Sequence, residues 1–305
     1  MSEHYSVMKK EALHYLDVQE DGCYVDGTLG RAGHSAEILA RAKHGYLYAF
    51  DLDTEAIQAG HKILQEYANY TLIHDNFAEM GRYLQQPVQG ILLDLGVSSP
   101  QFDVPERGFS YRSDARLDMR MNREQVKDAY AVVNQYKQEE LIRIFREYGE
   151  EKFAVPIAKK IVAVRSQKAI ESTGELVDVI KSVLPARILR EKGHPAKKVF
   201  QALRIEVNQE LASLEKFLQE FPDYLAIGGR VVILSFHSLE DRLVKQRFHE
   251  LCTVKVDKYL PLRPEEIKKA HFELLVKGGQ TASPQEIQEN KRSHSVRLRA
   301  IRKVR

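Results

Sequence analysis

The stretch Tyr24-Val-Asp-Gly-Thr-Leu-Gly-Arg-Ala-Gly-His-Ser35 sets three glycines, Gly27, Gly30 and Gly33, between an apolar run and a helical pattern carrying Ile38 and Leu39. A strand, a glycine turn and a helix in that order bring backbone N–H groups close to a ligand. Glycine has no Cβ, and the first N–H groups of a helix lack partners within it. That is the chemistry of a nucleotide site. The spacing is G-x-x-G-x-x-G, so the dinucleotide pattern G-x-G-x-x-G is absent, as is a phosphate loop with Gly-Lys-Ser/Thr, and a purely structural turn stays open. Asp51 follows the next apolar run about 25 residues after Asp26, close to the roughly 20-residue spacing at which a carboxylate meets ribose hydroxyls; Asp53 suits a helix cap better. Phe77 follows a third run, where it can flank an adenine ring or fill a core. Asp94 interrupts the apolar run Gly90 to Val97, and a buried acid needs a partner or a task. Ser98-Ser99-Pro100-Gln101-Phe102 follows it, and His237 lies beyond a fifth run, as a proton acceptor, a substrate contact or a structural histidine.

These residues need strands to carry them. Residues 3–20 are expected to form an opening helix with Val7, Leu13 and Leu16 on its apolar side, and strands are expected at the glycine turn, Tyr46 to Phe50, Tyr70 to His74 and Gly90 to Val97. In a doubly wound parallel sheet, ligands collect beyond the carboxyl ends of the strands, which gathers these tips. The next comparable strand is Arg230 to Phe236. The gap exceeds a hundred residues where a βαβ unit needs about 30, so something is inserted. The inserted part has helical periodicity over 139–148, 154–166 and 175–184, the last capped by Thr173, and a long helix then carries Phe200, Leu203, Val207, Leu211, Leu214 and Leu218. The insertion is placed at 103–198, leaving 1–102 and 199–305 as one discontinuous domain. Phe272 to Val276 and Ser295 to Ile301 are expected to close the sheet as an antiparallel pair. Residues 253–270 and 277–292 are polar, punctuated by Pro and Gly, and expected to be mobile connections.

Hydrophobic residues make up 43% of the 305 and charged ones 29%, enough apolar material for a large core. The longest apolar runs fall far short of the roughly 20 residues of a membrane span, and the start lacks the layout of a signal peptide, so a cytoplasmic protein is expected. Cys23 and Cys252 are too few for a disulfide framework or a Cys-based zinc site. A net charge of +3 is mild, but it is unevenly spread. Lys291, Arg292, Arg297, Arg299, Arg302, Lys303 and Arg305 occur with no acid among them, and Arg187, Arg190, Lys192, Lys197 and Lys198 surround only Glu191. Each cluster alone is a common solvated face; two of them point toward a polyanionic substrate.

Six runs taken in order resemble one family over essentially the whole chain: Val25 to Ser35, Gly90 to Gln101, Glu106-Arg-Gly-Phe-Ser110, Leu117-Asp-Met-Arg-Met121, Phe200-Gln-Ala-Leu-Arg-Ile205 and Ser235-Phe-His-Ser-Leu-Glu-Asp-Arg242. The chain is similar to the bacterial 16S ribosomal RNA cytosine-N4 methyltransferases of the RsmH or MraW type. The resemblance implies a class I S-adenosylmethionine-dependent α/β fold with an inserted small helical domain. It also implies methylation of the N4 amine of one cytidine in the decoding region of the small ribosomal subunit, and in-line methyl transfer from a sulfonium requires no metal. Carried over by motif, the cofactor contacts are Ala32, Gly33, His34, Asp51, Phe77, Asp94 and Gln101. Ser98-Ser99-Pro100-Gln101-Phe102 loosely resembles the Ser-Pro-Pro-aromatic loop of amino-methyltransferases, which assigns the amine side to Ser98, Ser99 and the adjoining backbone, and base stacking to Phe102 or Phe109. His237 is a candidate acceptor for the departing proton. Arg187, Lys197, Lys198, Arg297 and Arg299 are expected to hold phosphates. Three departures stand out: Ala32 where the family has glycine, Ala115-Arg116 for Gly-Pro, and Lys197-Lys198 for Thr-Arg. A methyl at Ala32 is tolerable if its φ is negative. A nicotinamide oxidoreductase and a non-catalytic ribosome-assembly factor remain the alternatives.

Overall fold

The computed structural model describes residues 6–254 and 269–305, apart from the side chains of Ser99 and Pro100. The start of the expected opening helix and 255–268 of the expected mobile connection lie outside the described residues. Contacts divide the chain into two compact units: one runs to Gly96 and resumes over Ala212–Arg305, the other is Val97–Leu211.

The first unit is built on strands β1 (Cys23–Asp26), β2 (Tyr46–Asp51), β3 (Tyr70–His74), β4 (Val88–Asp94), β5 (Leu225–Ser235), β6 (Phe272–Leu274) and β7 (Arg297–Lys303). Their order is β3-β2-β1-β4-β5-β7-β6. The first five run parallel, and β7 lies antiparallel to both β5 and β6. The order turns back between β1 and β4, the switch point at which such sheets bind ligands. Side-chain alternation sorts the apolar runs to two cores. Leu92, Val232 and Leu234 pack with Leu13, Ile38 and Leu298, while Ile91, Leu93, Val231 and Ile233 pack with Phe217, Phe221 and Phe248. A strand buried on both faces therefore appears in sequence as an unbroken apolar run.

Helices α1 (Lys9–Leu16), α2 (Gly33–Arg41) and α3 (Thr54–Ile63) belong to this unit. Asp53 caps α3 through its carboxylate, which accepts from Glu55 N–H, so its task is structural. No helix among the described residues is long and apolar enough to cross a membrane.

The second unit is helical: α4 (Ser99–Asp103), α5 (Ala129–Gln135), α6 (Gln138–Glu147), α7 (Ala154–Arg165), α8 (Thr173–Lys181), α9 (Ala186–Leu189) and α10 (Lys197–Asn208). Its own core includes Leu141, Phe145, Ile157, Ile161, Leu176 and Ile180. Ser172, not Thr173, caps α8, in a reciprocal box with Glu175. The expected long helix breaks at Gln209, whose φ of 52° ends α10 before α11 (Glu210–Tyr224) begins. This is why the helical unit extends beyond residue 198. Val199, Phe200, Ala202, Leu203 and Val207 of α10 pack into the helical core, whereas Leu214, Phe217 and Leu218 of α11 pack on the sheet. The chain then continues through β5, α12 (Ser238–Cys252), β6, α13 (Pro284–Glu289) and β7.

Candidate functional site

The tips of β1, β2 and β4 are joined through the glycine turn. Asp26, 1% exposed, accepts from Thr28 N–H at 3.1 Å through Oδ1 and from the Ser35 hydroxyl at 2.6 Å through Oδ2. Thr28 Oγ1 in turn accepts from Asp94 N–H at 2.6 Å, and Leu29 N–H donates to Phe50 O at 2.8 Å. Gly30 N–H donates to Asp51 Oδ2 at 2.8 Å while Asp53 N–H donates to Oδ1 at 2.9 Å. Gly30 has a φ of 49°, which glycine adopts without penalty. Asp26 is the residue that motif reading passed over as functional. Its only sequence signal is its place at a strand end directly before Gly27.

Ala32 also has a positive φ, 56°. The condition under which its methyl would be harmless is not met. The side chain is fully buried in the apolar core beside Ile38 and Leu39, and that packing holds a backbone which L-residues otherwise avoid. Ala32 caps α2, so Gly33 and His34 are its first residues and their N–H groups have no acceptor within the helix.

His34 is buried, and burial pushes its pKa down to about 4 against the opposing pull of the Val7 carbonyl. A neutral ring beside a carbonyl must donate there, so Nε2–H serves Val7 O at 3.2 Å and Nδ1 keeps its lone pair, 3.7 Å from Asp94 Oδ2. The side chain is thus engaged within the protein; what His34 offers outward is its backbone.

Asp94 is the most perturbed acid of the group. Burial raises its pKa well above the usual range, and the carboxylates of Asp26, Glu240 and Glu286 raise it further. The side chain keeps 23% of its exposure, yet Oδ1 is sealed from solvent with no hydrogen-bond partner. Burial also pushes Asp26 and Asp51 up to about 6. Three carboxylates in one place, with no Lys or Arg ion pair to any of them among the described residues, form a site that favours an arriving cation. Phe77 follows the tip of β3 and meets Phe217 edge-on with ring centroids 5.9 Å apart.

The remaining expected residues fall in the helical unit or at the far strands. Gln101 is 3% exposed, and its Oε1 accepts from Ser98 N–H at 3.0 Å, which fixes the turn into α4. The Ser99 side chain lies outside the description. Phe102 is 39% exposed, available for stacking. Phe109 is not: it is 4% exposed within the helical core, so its aromatic signal was that of a core residue. His237 caps α12, with Nδ1 accepting from Glu240 N–H at 3.4 Å and Nε2 3.1 Å from Glu240 Oε1. The cap engages Nδ1, whereas the buried Nε2 makes no hydrogen bond and is the atom left for the expected proton acceptance.

The two basic clusters differ. The Arg187 side chain is 90% exposed, Lys197 is exposed, and Lys198 donates to Glu150 O at 2.9 Å. Arg299, expected on a phosphate-binding face, is instead buried and doubly bonded to Asp241 at 2.7 and 3.1 Å; Arg297 lies 3.9 Å from the same carboxylate. Leu298, Arg299, Ala300 and Ile301 are all buried, so the middle of β7 is covered on both faces, Arg299 included.

The donor set fits S-adenosylmethionine: an orphaned carboxylate oxygen for a cationic centre, a carboxylate at the second strand tip for ribose hydroxyls, and free N–H groups at the start of α2 for a carboxylate. Among solved structures, the chain is similar to an rRNA methylase from Streptococcus thermophilus (12% identity over 99% of each chain, TM-score 0.43). It is also similar to a putative rRNA-methylase from Clostridium thermocellum (12% over 98% of each, TM-score 0.45) and to a putative methyltransferase from Streptococcus mutans in complex with SAH (13% over 98% of each, TM-score 0.42). These likenesses are faint. The sequence model of the MraW methylase family, by contrast, matches residues 1–304. With a seven-stranded sheet in the order β3-β2-β1-β4-β5-β7-β6, a glycine turn ringed by acids and a family match spanning the molecule, the chain belongs to the MraW methylase family and is a class I S-adenosylmethionine-dependent methyltransferase with an inserted helical unit.

Proposed function

We propose that this enzyme methylates the N4 amine of a single cytidine in the decoding region of 16S ribosomal RNA, in the cytoplasm, on naked RNA or on the small subunit. The observation that carries the reading is the orphaned Asp94 Oδ1 at the end of β4, followed four residues on by Ser98, whose backbone is held by Gln101.

Bound S-adenosylmethionine supplies an electrophilic methyl on a sulfonium. The Asp94 carboxylate would balance its positive charge, Asp51 would accept from the ribose hydroxyls, the Gly33 and His34 N–H groups would hold the carboxylate, and Phe77 would flank the adenine. In-line methyl transfer needs no covalent enzyme intermediate, so positioning is the main contribution of the protein. The cytosine N4 lone pair is delocalised into the ring. Ser98 and the adjoining backbone carbonyls would accept hydrogen bonds from the amine and draw the nitrogen toward sp³ geometry while Phe102 stacks on the base; methyl transfer leaves S-adenosylhomocysteine, and the surplus amine proton passes to His237 Nε2. A cytidine in a duplex is out of reach, so the target is single-stranded or flipped out. Arg187 and Lys197, both exposed, hold phosphates of the RNA.

Nucleoside analysis of small-subunit RNA after in vitro methylation tests this directly. N4-methylcytidine at one position is expected, and Asp94→Ala should abolish it while binding S-adenosylmethionine at least 10-fold more weakly. Methyl on another atom would refute the substrate assignment, and an active Asp94→Ala would refute the site. NAD(H) binding without S-adenosylmethionine affinity would sink both.

A further inference from the structure

Glu286 is buried at 7% exposure, and its position in the sequence predicts a purely local task. It is the third residue of α13 behind a Ser283 cap, the spacing of a reciprocal capping box. Only half of that box forms. Ser283 Oγ accepts from Glu286 N–H at 3.1 Å, but the Glu286 carboxylate turns away from the cap. Its Oε1 accepts from Met8 N–H at 2.7 Å, across 278 residues of sequence, and from the Ser293 hydroxyl at 2.7 Å. In α8 and α12 the corresponding glutamates do complete their boxes. The acid of α13 is spent on a distant segment.

That segment is held at every residue. Met8 is fully buried with a φ of 46°, a conformation that persists only where the surroundings impose it. One residue before it, Val7 O receives the His34 ring proton. Two before it, Ser6 packs on Gly33 so closely that a Cβ built there would lie 2.0 Å from Ser6 Oγ. One residue after it, Lys9 pairs with Glu37 of α2 at 3.0 Å. Ser6 to Lys9 therefore lies along the start of α2, and Glu286 fixes its middle.

We propose that Glu286 is a positioning residue for the methyl donor: it clasps the Met8 amide and thereby holds Ser6–Met8 against Gly33 and His34, the residues that meet the donor's methionine end. The clasp rests on the assignment of S-adenosylmethionine to these strand tips. Because one atom, Oε1, accepts both bonds, Glu286→Gln retains them and Glu286→Ala loses them.

Calorimetric titration of the full chain with S-adenosylhomocysteine separates the cases. Glu286→Ala should bind about 10-fold more weakly and show a raised KM for S-adenosylmethionine with kcat within 2-fold, whereas Glu286→Gln should stay within about 3-fold of the parent. Amide hydrogen exchange supplies a readout independent of ligand. In Glu286→Ala, residues 6–12 and 30–36 should exchange at least 10-fold faster, with the helical unit unchanged. If Glu286→Ala fails to fold, Ser293→Ala, which removes one of the two donors, should give a 2- to 4-fold loss of affinity. Unaltered affinity in Glu286→Ala, or in Ser293→Ala where that is the variant available, overturns the proposal. So does Glu286→Gln as weak as Glu286→Ala, or loosening confined to 284–295. If the parent itself does not bind S-adenosylhomocysteine, the site assignment fails instead.

Discussion

Two basic clusters that look alike in sequence have opposite fates. Residues 291–305 hold seven Lys and Arg with no acid, and 187–198 hold five around Glu191 alone. In the first, Arg299 is locked onto Asp241, Arg302 reaches Glu273 at 2.6 Å, and Lys303 Nζ donates to Pro222 O and Leu225 O at 2.7 and 2.8 Å. In the second, the Arg187 side chain is 90% exposed and its 3.9 Å contact is with Glu191 of its own run, and Lys197 stands in solvent. The partners of the C-terminal cluster come from α12, β6 and the α11–β5 junction, all remote in sequence. A local run of positive charge thus reports neither exposure nor partner; the acids that neutralise it are brought in by the fold.

The contrast is sharpest at Arg299. Asp241 keeps 24% of its exposure and Arg297 at 3.9 Å, so losing Arg299 costs about 3 kcal/mol, the low end for a buried pair. Arg299→Ala should lose stability of that order in chemical denaturation, and the folded protein should bind RNA as the parent does. A stable variant with weakened RNA binding would erase the distinction between the clusters.

The sheet unit also commits its acids. Asp26 has a folded pKa of about 6 against an ordinary 3.8, so the folded chain holds this proton more tightly than the unfolded one. The stability this adds is fully present below pH 4 and is lost as pH rises through about 6. Two units correspond to roughly 3 kcal/mol. Asp26→Asn keeps an acceptor for Thr28 and a group that can bond Ser35. Its stability relative to the parent should grow by that amount between pH 4 and pH 7; parallel pH profiles would show that Asp26 is not the titrating group.

For the solvated cluster the expectation reverses. Arg187→Ala combined with Lys197→Ala should leave stability within about 0.5 kcal/mol. It should also reduce RNA affinity about 10-fold at physiological salt and flatten log K against log[salt] by about 1.4, or 0.7 per single-strand phosphate contact. An unchanged slope would remove these side chains from the interface. The smallest effect is at Ala32. Glycine there relieves about 1–2 kcal/mol of left-handed strain and forfeits about 0.8 kcal/mol of buried methyl, so Ala32→Gly should be more stable by roughly 0.2–1.2 kcal/mol. A loss on thermal denaturation would mean that the methyl's packing outweighs its strain.

Much of the fold was legible because its signals are local. Apolar runs marked β2, β3 and β4, helical periodicity marked α6 and α7, and the gap before β5 announced an insertion. What escaped were single residues whose state depends on remote contacts. Gln209 interrupts a helix that its apolar spacing would continue, since α10 and α11 serve different cores. Phe109 looked like a stacking aromatic and is core; His237 caps a helix through Nδ1, a task its sequence position did not announce. At the glycine turn, spacing and Asp51 were visible, whereas the part played by Asp26 depends on Thr28 and Ser35 folding back onto it.

The sequence by itself determined the sheet unit, the helical insertion and the family, because alternation, periodicity and motif order are properties of neighbouring residues. Tertiary structure alone decided which charges are spent. Whether a carboxylate is orphaned, as at Asp94 Oδ1, or bonded 278 residues away, as at Glu286, depends on burial and on what the fold brings within 3 Å. A group's ionisation and hydrogen bonding are set by its surroundings, and only the folded chain supplies those.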